Sequence, residues 1–365
     1  MGMSQVFRAR IRPEPLRRGP ANYRVCTGDV RILTTRGYPQ ALAKNLSRRI
    51  LIASALVPAV LAAQQRADLS FDVSVAAPAY VKTHPRVVID EAHNNFHTAE
   101  GRYQPFATLL RNDGYNVSAG TTTFTAASLK GIDVLVVSNA LGPGATVSDD
   151  SSPPAFTAAE SAAVADWVRA GGSLLLISDH TPMGEANSAL AETIGVRMGK
   201  GFVQSMDSSE RSGGPAQLVF SRANKLLGDH AITRGRNERE RIDSVTSFTG
   251  QSLSVPAGGA AILMLGPGAW EMPTRTDALS LNAARGDAPP TAEALAASHA
   301  VKVGGRAQGV AFELGKGRVV VLGEAAMMSA QIAGPTGEGR MGMNASGNQD
   351  KQFALNVLHW LTRLI

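Results

Sequence analysis

Short, wholly apolar runs alternate along this chain with longer amphipathic stretches, and the alternation predicts most of its elements. Arg86-Val87-Val88-Ile89-Asp90 is a β-branched run closed by a polar residue, which predicts a buried strand. Residues 103–112 place Phe106, Leu109 and Leu110 on one helical face, with Gly114 positioned to stop the helix. Tyr115-Asn116-Val117-Ser118 begins a second strand. Residues 132–138 form a third, almost continuously apolar, as expected of a parallel strand covered on both faces. Thr157-Ala158-Ala159-Glu160 has the form of a capping box, ahead of a helix that carries Val164, Trp167 and Val168 and ends at Gly171-Gly172. Residues 173–178 are a fourth strand.

Strands separated by helices at this spacing predict an α/β fold, flavodoxin-like and doubly wound, with a mainly parallel sheet and helices on both faces. Residues from about 200 to 300 break the pattern with Gly, Ser and Arg runs, and read as an irregular insertion with further strands such as 260–265. Order returns at 309–314 and 318–322, joined by Gly315-Lys316-Gly317. A closing helix over about 349–364 repeats Phe353, Val357, Leu358 and Leu361 at helical spacing.

Charge changes the picture at the N-terminus only. Residues 1–62 hold eleven Lys/Arg against two Asp/Glu and the remainder 25 against 28, so the formal +6 and the pI near 9.7 belong to the leader. Nucleic acid thereby loses its main support as a partner. Lys44, Arg48 and Arg49 precede residues 50–63, a fourteen-residue, mainly apolar run ending in small residues, the make-up of a secretory signal. That run is shorter than the roughly 18 to 20 residues a membrane-spanning helix needs. The expected layout is a basic leader over 1–63, a linker over 64–85 and an α/β domain over 86–365. The expected location is periplasmic or secreted, without stable membrane insertion after cleavage. The only cysteine, Cys26, lies in the leader, so the folded part has no disulfide, no thiolate ligand and no cysteine nucleophile.

In an open parallel sheet, ligands bind at the carboxyl ends of the strands. Here those ends are polar. Asp90-Glu91-Ala92-His93-Asn94-Asn95-Phe96-His97 follows the first strand, Asp179-His180-Thr181 the fourth, and Gly323-Glu324 a late one. Asp179, His180 and Glu324 are the candidate catalytic groups. Asp90, Glu91, His93, Asn95, His97 and Asn344, the last in a glycine-rich loop before the closing helix, are the candidate ligand-binding groups. His93, His97 and His180 would suit a divalent metal if they converged. The plainer reading is that Asp90 and Asn95 bond to loop backbone. No phosphate-cradling glycine loop follows the first strand, so no nucleotide cofactor is indicated.

Residues 87–97, 171–180, Asp229-His230-Ala231-Ile232-Thr233-Arg234-Gly235, 317–324 and 352–361 occur in an order that resembles ThuA-like and related class I glutamine-amidotransferase-like domains. The resemblance covers most of the folded part. It implies an elbow at Asp179-His180 where amidotransferases carry cysteine, with Glu324 in the region of the later activating pair. Carboxylate and imidazole cannot form the thioester that glutamine hydrolysis requires. Relatives that look like accessory domains of polysaccharide-degrading systems imply a carbohydrate-like ligand. Two expectations therefore stand: an exported accessory domain that binds a saccharide, or a periplasmic hydrolase, metal-assisted or using the acidic and imidazole groups directly.

Overall fold

The computed structural model describes residues 65–285, 290–334 and 338–365. The basic leader, its apolar run and Cys26 lie outside the described residues. In chain order the strands are β1 (Arg66–Ala67), β2 (Arg86–Asp90), β3 (Asn116–Gly120), β4 (Val134–Ser138), β5 (Ser173–Ile177), β6 (Phe202–Ser205), β7 (Gln217–Ser221) and β8 (Ser244–Phe248). They continue as β9 (Ala260–Met264), β10 (Ala269–Met272), β11 (Val301–Lys302), β12 (Ala307–Leu314), β13 (Gly317–Leu322), β14 (Ala330–Ala333) and β15 (Gly339–Gly342). The helices are α1 (Gln104–Asn112), α2 (Ala158–Ala170), α3 (Met183–Thr193), α4 (Ala231–Arg234), α5 (Arg275–Arg285), α6 (Ala292–Ala297) and α7 (Asp350–Leu361).

Seven strands form the main sheet in the order β3-β2-β4-β5-β13-β12-β9. Neighbours from β3 to β13 pair in parallel, while β12 and β9 close the far side antiparallel. Counted among the parallel strands, this is the 2-1-3-4-5 order of doubly wound flavodoxin-like sheets. Period-two alternation divides the core. Val87, Ile89, Val136, Leu175, Ile177, Val320 and Leu322 face α1 and α7 on one side. Val88, Leu135, Val137, Leu174, Leu176, Val319 and Val321 face α2 and α3 on the other. Both faces of these strands are therefore dry along their middles, which is why their sequences are apolar there and polar only at the ends.

The punctuation works as its chemistry dictates. Thr157 Oγ1 accepts the Glu160 N–H and Glu160 accepts the Thr157 N–H, closing the capping box of α2. After α1, Gly114 adopts φ +97°, and a Cβ there would lie 1.9 Å from the Tyr80 carbonyl oxygen. The segment expected as a linker is docked instead. β1 pairs with β14, and Phe71, Val73, Val75 and Tyr80 pack on the core. The irregular 200–300 region contributes β9 to the main sheet, builds the small sheet β7-β8 and, with β11 just beyond it, forms the small sheet β11-β10-β6. His359 on α7 is buried, its Nε2 2.7 Å from Asp113 Oδ2. Among the described residues no helix is long and apolar enough to cross a membrane.

Candidate functional site

The carboxyl ends of β2, β5 and β13 open onto one cavity of about 550 Å³, within the usual range for small-molecule sites. Phe96, His97 and Arg102 reach it from the loop after β2, Asp179 and His180 from the end of β5, and Glu324 from the end of β13. Arg275 and Thr249 come from the 200–300 region and Gln331 from β14.

Asn139, at the end of β4, ties two of these segments together. Its Nδ2 donates to Asp179 Oδ2 at 2.8 Å and its Oδ1 accepts the Asp179 N–H at 2.8 Å, while its own carbonyl accepts the Phe96 N–H at 3.0 Å. It does so from left-handed backbone, φ 46°, which asparagine tolerates better than most residues. From the opposite side Gln251 Nε2 donates to the carbonyls of Ser178 and Asp179, both at 2.9 Å, fixing the turn that presents Asp179 and His180.

The second oxygen of Asp179 accepts the Ala325 N–H at 3.3 Å. Glu324 accepts the N–H groups of Ala326 and Met327 at 2.7 and 2.9 Å, capping the short turn that follows β13. Burial pushes the Asp179 carboxyl up, against the pull of His180 and of the Asn139 and Ala325 donors. Burial and then the nearby Asp179 push Glu324 well above the usual carboxylate range. Two neighbouring acids in a shielded site resist carrying two full charges.

The imidazoles differ from each other. His180 Nδ1 lies 2.8 Å from the Thr181 carbonyl oxygen, which can only accept, so Nδ1 carries the proton. Burial lowers its pKa, so the ring is neutral near pH 7 and Nε2 is an acceptor. The ring stacks on Phe202 with centroids 3.9 Å apart. His97 is 2% exposed, packed between Phe96 and Tyr103, and burial together with Arg102 brings its pKa down to about 3. Neither of its ring nitrogens has a hydrogen-bond partner in the protein, and the same holds for Arg102 Nε and Gln331 Oε1. Four orphaned polar atoms thus belong to residues lining one cavity. Each unmet group costs about 1–3 kcal/mol.

The site is smaller than the sequence suggested. Asp179, His180 and Glu324 come together and His97 joins them. Asp90, Glu91, His93, Asn95 and Asn344 do not line the cavity, because their polar groups serve the protein itself. Asp90 accepts from His93, Ala92 and Asn95, and Asn95 Oδ1 in turn accepts the His93 N–H. Glu91 accepts the Ala99 N–H at 2.7 Å, and Asn344 donates to Asp68 Oδ2 and to the Gln331 carbonyl. The metal triad His93, His97 and His180 is also corrected. Both ring nitrogens of His93 are held by carboxylates, Asp90 and Glu160, each at 2.9 Å. Among the described residues no three His, Cys, Asp or Glu side chains are grouped to hold a metal ion.

Sequence reasoning overlooks Asn139, Arg102, Arg275, Gln251 and Gln331. Asn139 carries a usable signal, being the polar residue directly after a core strand. The others come from segments whose position at the cavity has no local signature. The Asp229 to Gly235 piece of the resemblance is a helix cap: His230 Nδ1 accepts the Ile232 N–H at 3.2 Å, and Thr233 Oγ1 accepts the His230 N–H at 3.1 Å.

No protein-family model matches the chain, and no curated protein matches it. Among solved structures it is similar to a protein described as mmIFT52 N-terminal domain, with 16% identity over 76% of this chain and 97% of that one, TM-score 0.48. It is also similar to a protein described as thua-like from Bacteroides uniformis, with 14% identity over 78% of this chain and 94% of that one, TM-score 0.39. An exo-beta-1,4-mannosidase from Opitutaceae bacterium strain TAV5 aligns with 11% identity over 67% of this chain, TM-score 0.32, and the chain spans only 31% of that enzyme's length. At these identities and scores the likenesses do not bear on activity, ligand or partner. The α/β, flavodoxin-like assignment rests on the strand order itself.

Proposed function

We propose that this chain is an exported accessory domain that holds a carbohydrate-like ligand in the cavity at the carboxyl ends of β2, β5 and β13. The observation that carries the reading is the cluster of orphaned polar atoms on His97, Arg102 and Gln331. Buried polar groups are as a rule satisfied, so a group of unmet donors and acceptors around a single cavity supports an outside partner with several hydroxyls. Neutral His97 carries one donor and one acceptor and Gln331 an acceptor, all shielded in the cavity wall, and Asp179 adds carboxylate lone pairs, a set suited to hydroxyl groups, which both give and take hydrogen bonds.

A second reading, a hydrolase, is favoured by the acidic pair. Asp179 and Glu324 have raised pKa values beside a neutral imidazole whose Nε2 can accept a proton, the elements of general acid–base chemistry. Thermal-shift and calorimetric titration with a panel of oligosaccharides tests the binding reading. A melting-temperature rise in the wild type that is absent in Asp179→Asn is the expected result, and no shift with any saccharide would end the reading. Release of new reducing ends by wild type but not by Asp179→Asn would select the hydrolase.

A further inference from the structure

The cavity has a charge pattern that a neutral sugar does not match. Arg102 lies half-buried over the Phe96 ring, its guanidinium carbon 3.7 Å from the centroid, with one long bond of 3.4 Å from Nη1 to the Phe96 carbonyl and no partner for Nε. Arg275 also lines the cavity, its Nη2 3.4 Å from the Val147 carbonyl. Neither guanidinium is ion-paired to a carboxylate among the described residues. The two carboxylates in the same cavity take their protein hydrogen bonds from other groups than these guanidiniums, Asp179 from Asn139 and Ala325 and Glu324 from the turn it caps. Arg102, half-buried and without a counter-charge, is costly to hold, and the planar fork of a guanidinium is shaped to receive a carboxylate through two parallel N–H bonds.

We infer that the ligand is a uronate, a saccharide bearing a carboxylate, whose acid group is received by Arg102 and Arg275 while its hydroxyls meet Asp179, His97 and Gln331. The inference rests on the carbohydrate-binding reading and adds the ligand's charge to it. A carboxylate carries one charge and docks on the guanidinium groups, with hydroxyls directed toward the acids. A phosphate would bring about twice the charge toward Asp179 and Glu324 and would be opposed by them.

The test is calorimetric titration of the purified chain with glucuronate- and galacturonate-containing di- and trisaccharides, their neutral counterparts of equal length, and glucose 6-phosphate. The acidic sugars are expected to bind about tenfold or more tighter than the neutral ones, with the preference shrinking as salt is raised. Arg102→Gln should weaken acidic sugars far more than neutral ones and so bring the acidic-to-neutral ratio near one, and Arg102→Lys should restore part of that ratio. If Arg102→Gln does not fold, Arg275→Gln, at an exposed position, is expected to lower the same ratio. Neutral sugars binding as tightly as acidic ones, an acidic preference that survives both substitutions, or stronger binding of the sugar phosphate would each overturn the inference and leave the carbohydrate reading standing. Failure of every saccharide to bind would remove both.

Discussion

His93 is the place where a single substitution should cost most. The ring is 7% exposed and sits between the Phe124 and Phe156 rings at 4.5 and 4.7 Å. Nδ1 meets Asp90 Oδ2 and Nε2 meets Glu160 Oε1, each at 2.9 Å. With a carboxylate on each nitrogen the ring is held as an imidazolium donating on both sides. Burial opposes that charge, but Asp90 and Glu160 outweigh it and raise the pKa. Burial likewise opposes ionised Glu160, and His93 with Thr157 outweighs it, bringing that carboxyl down to about 2. His93→Ala would leave two shielded carboxylates facing an emptied space, which typically costs 3–5 kcal/mol. Asn95, Ala92, Thr157 and Phe124 still donate to them and soften the loss, while the lost ring contacts add about 1 kcal/mol. A loss of about 3–5 kcal/mol should lower the melting temperature on the order of 10 °C. Denaturant unfolding at pH 6 and pH 9 is the assay. Because the folded pKa lies above the unfolded 6.5, the bridge contributes fully below that value and fades as pH rises through the folded pKa. The gap between wild type and variant should therefore be larger at pH 6. A variant within about 1 kcal/mol of wild type at pH 6, or a gap that widens toward pH 9, would refute the imidazolium bridge.

Asp179→Asn removes one acid from the raised pair and should stabilise the fold by about 1 kcal/mol at pH 7 while abolishing ligand binding. Since raised carboxyl pKa values cost stability as pH climbs, that gain should grow between pH 5 and 8 in chemical denaturation, and an unchanged or lowered midpoint at pH 8 would count against the repulsion. His230→Ala should cost about 1 kcal/mol at pH 7, where the ring accepts the Ile232 N–H. Burial and Arg234 lower the His230 pKa to about 4, so the cap's contribution, present above 6.5, is lost as pH falls toward 4, and melts of the two proteins should converge there. Gly114→Ala forces a Cβ into the Tyr80 carbonyl at positive φ and should destabilise the fold by more than about 1 kcal/mol in denaturant titration, whereas a neutral effect would mean the turn can move.

Much of the fold can be read along the chain because its signals are local. The core strands announce themselves through Val, Leu and Ile runs with polar residues only at their ends, since the middle of a strand dry on both faces favours apolar side chains. The capping box of Thr157 and Glu160 and the stop at Gly114 need only neighbours a few residues away. The docked segment 66–80 reads as a linker because its Phe71, Val73, Val75 and Tyr80 show their purpose only against a core formed by distant strands. The small sheets within 200–300 are illegible for the same reason.

His93 and His97 make the division plain. They stand four residues apart in one polar loop and look interchangeable, yet one is locked by Glu160, 67 positions further on, and the other lines the cavity with both nitrogens unmet. Residue types and their order along the chain settle which side chains can carry charge or a proton. Which of them meet depends on strand order. β5 and β13 pair side by side, Arg318 opposite Ser173 and Leu322 opposite Ile177, so Asp179 and Glu324 reach the same cavity, and Asp179 bonds to the Ala325 N–H across 146 positions of chain. Hydrogen bonding between strands ignores sequence distance, and for that reason only the closed sheet decides which residues belong to the site.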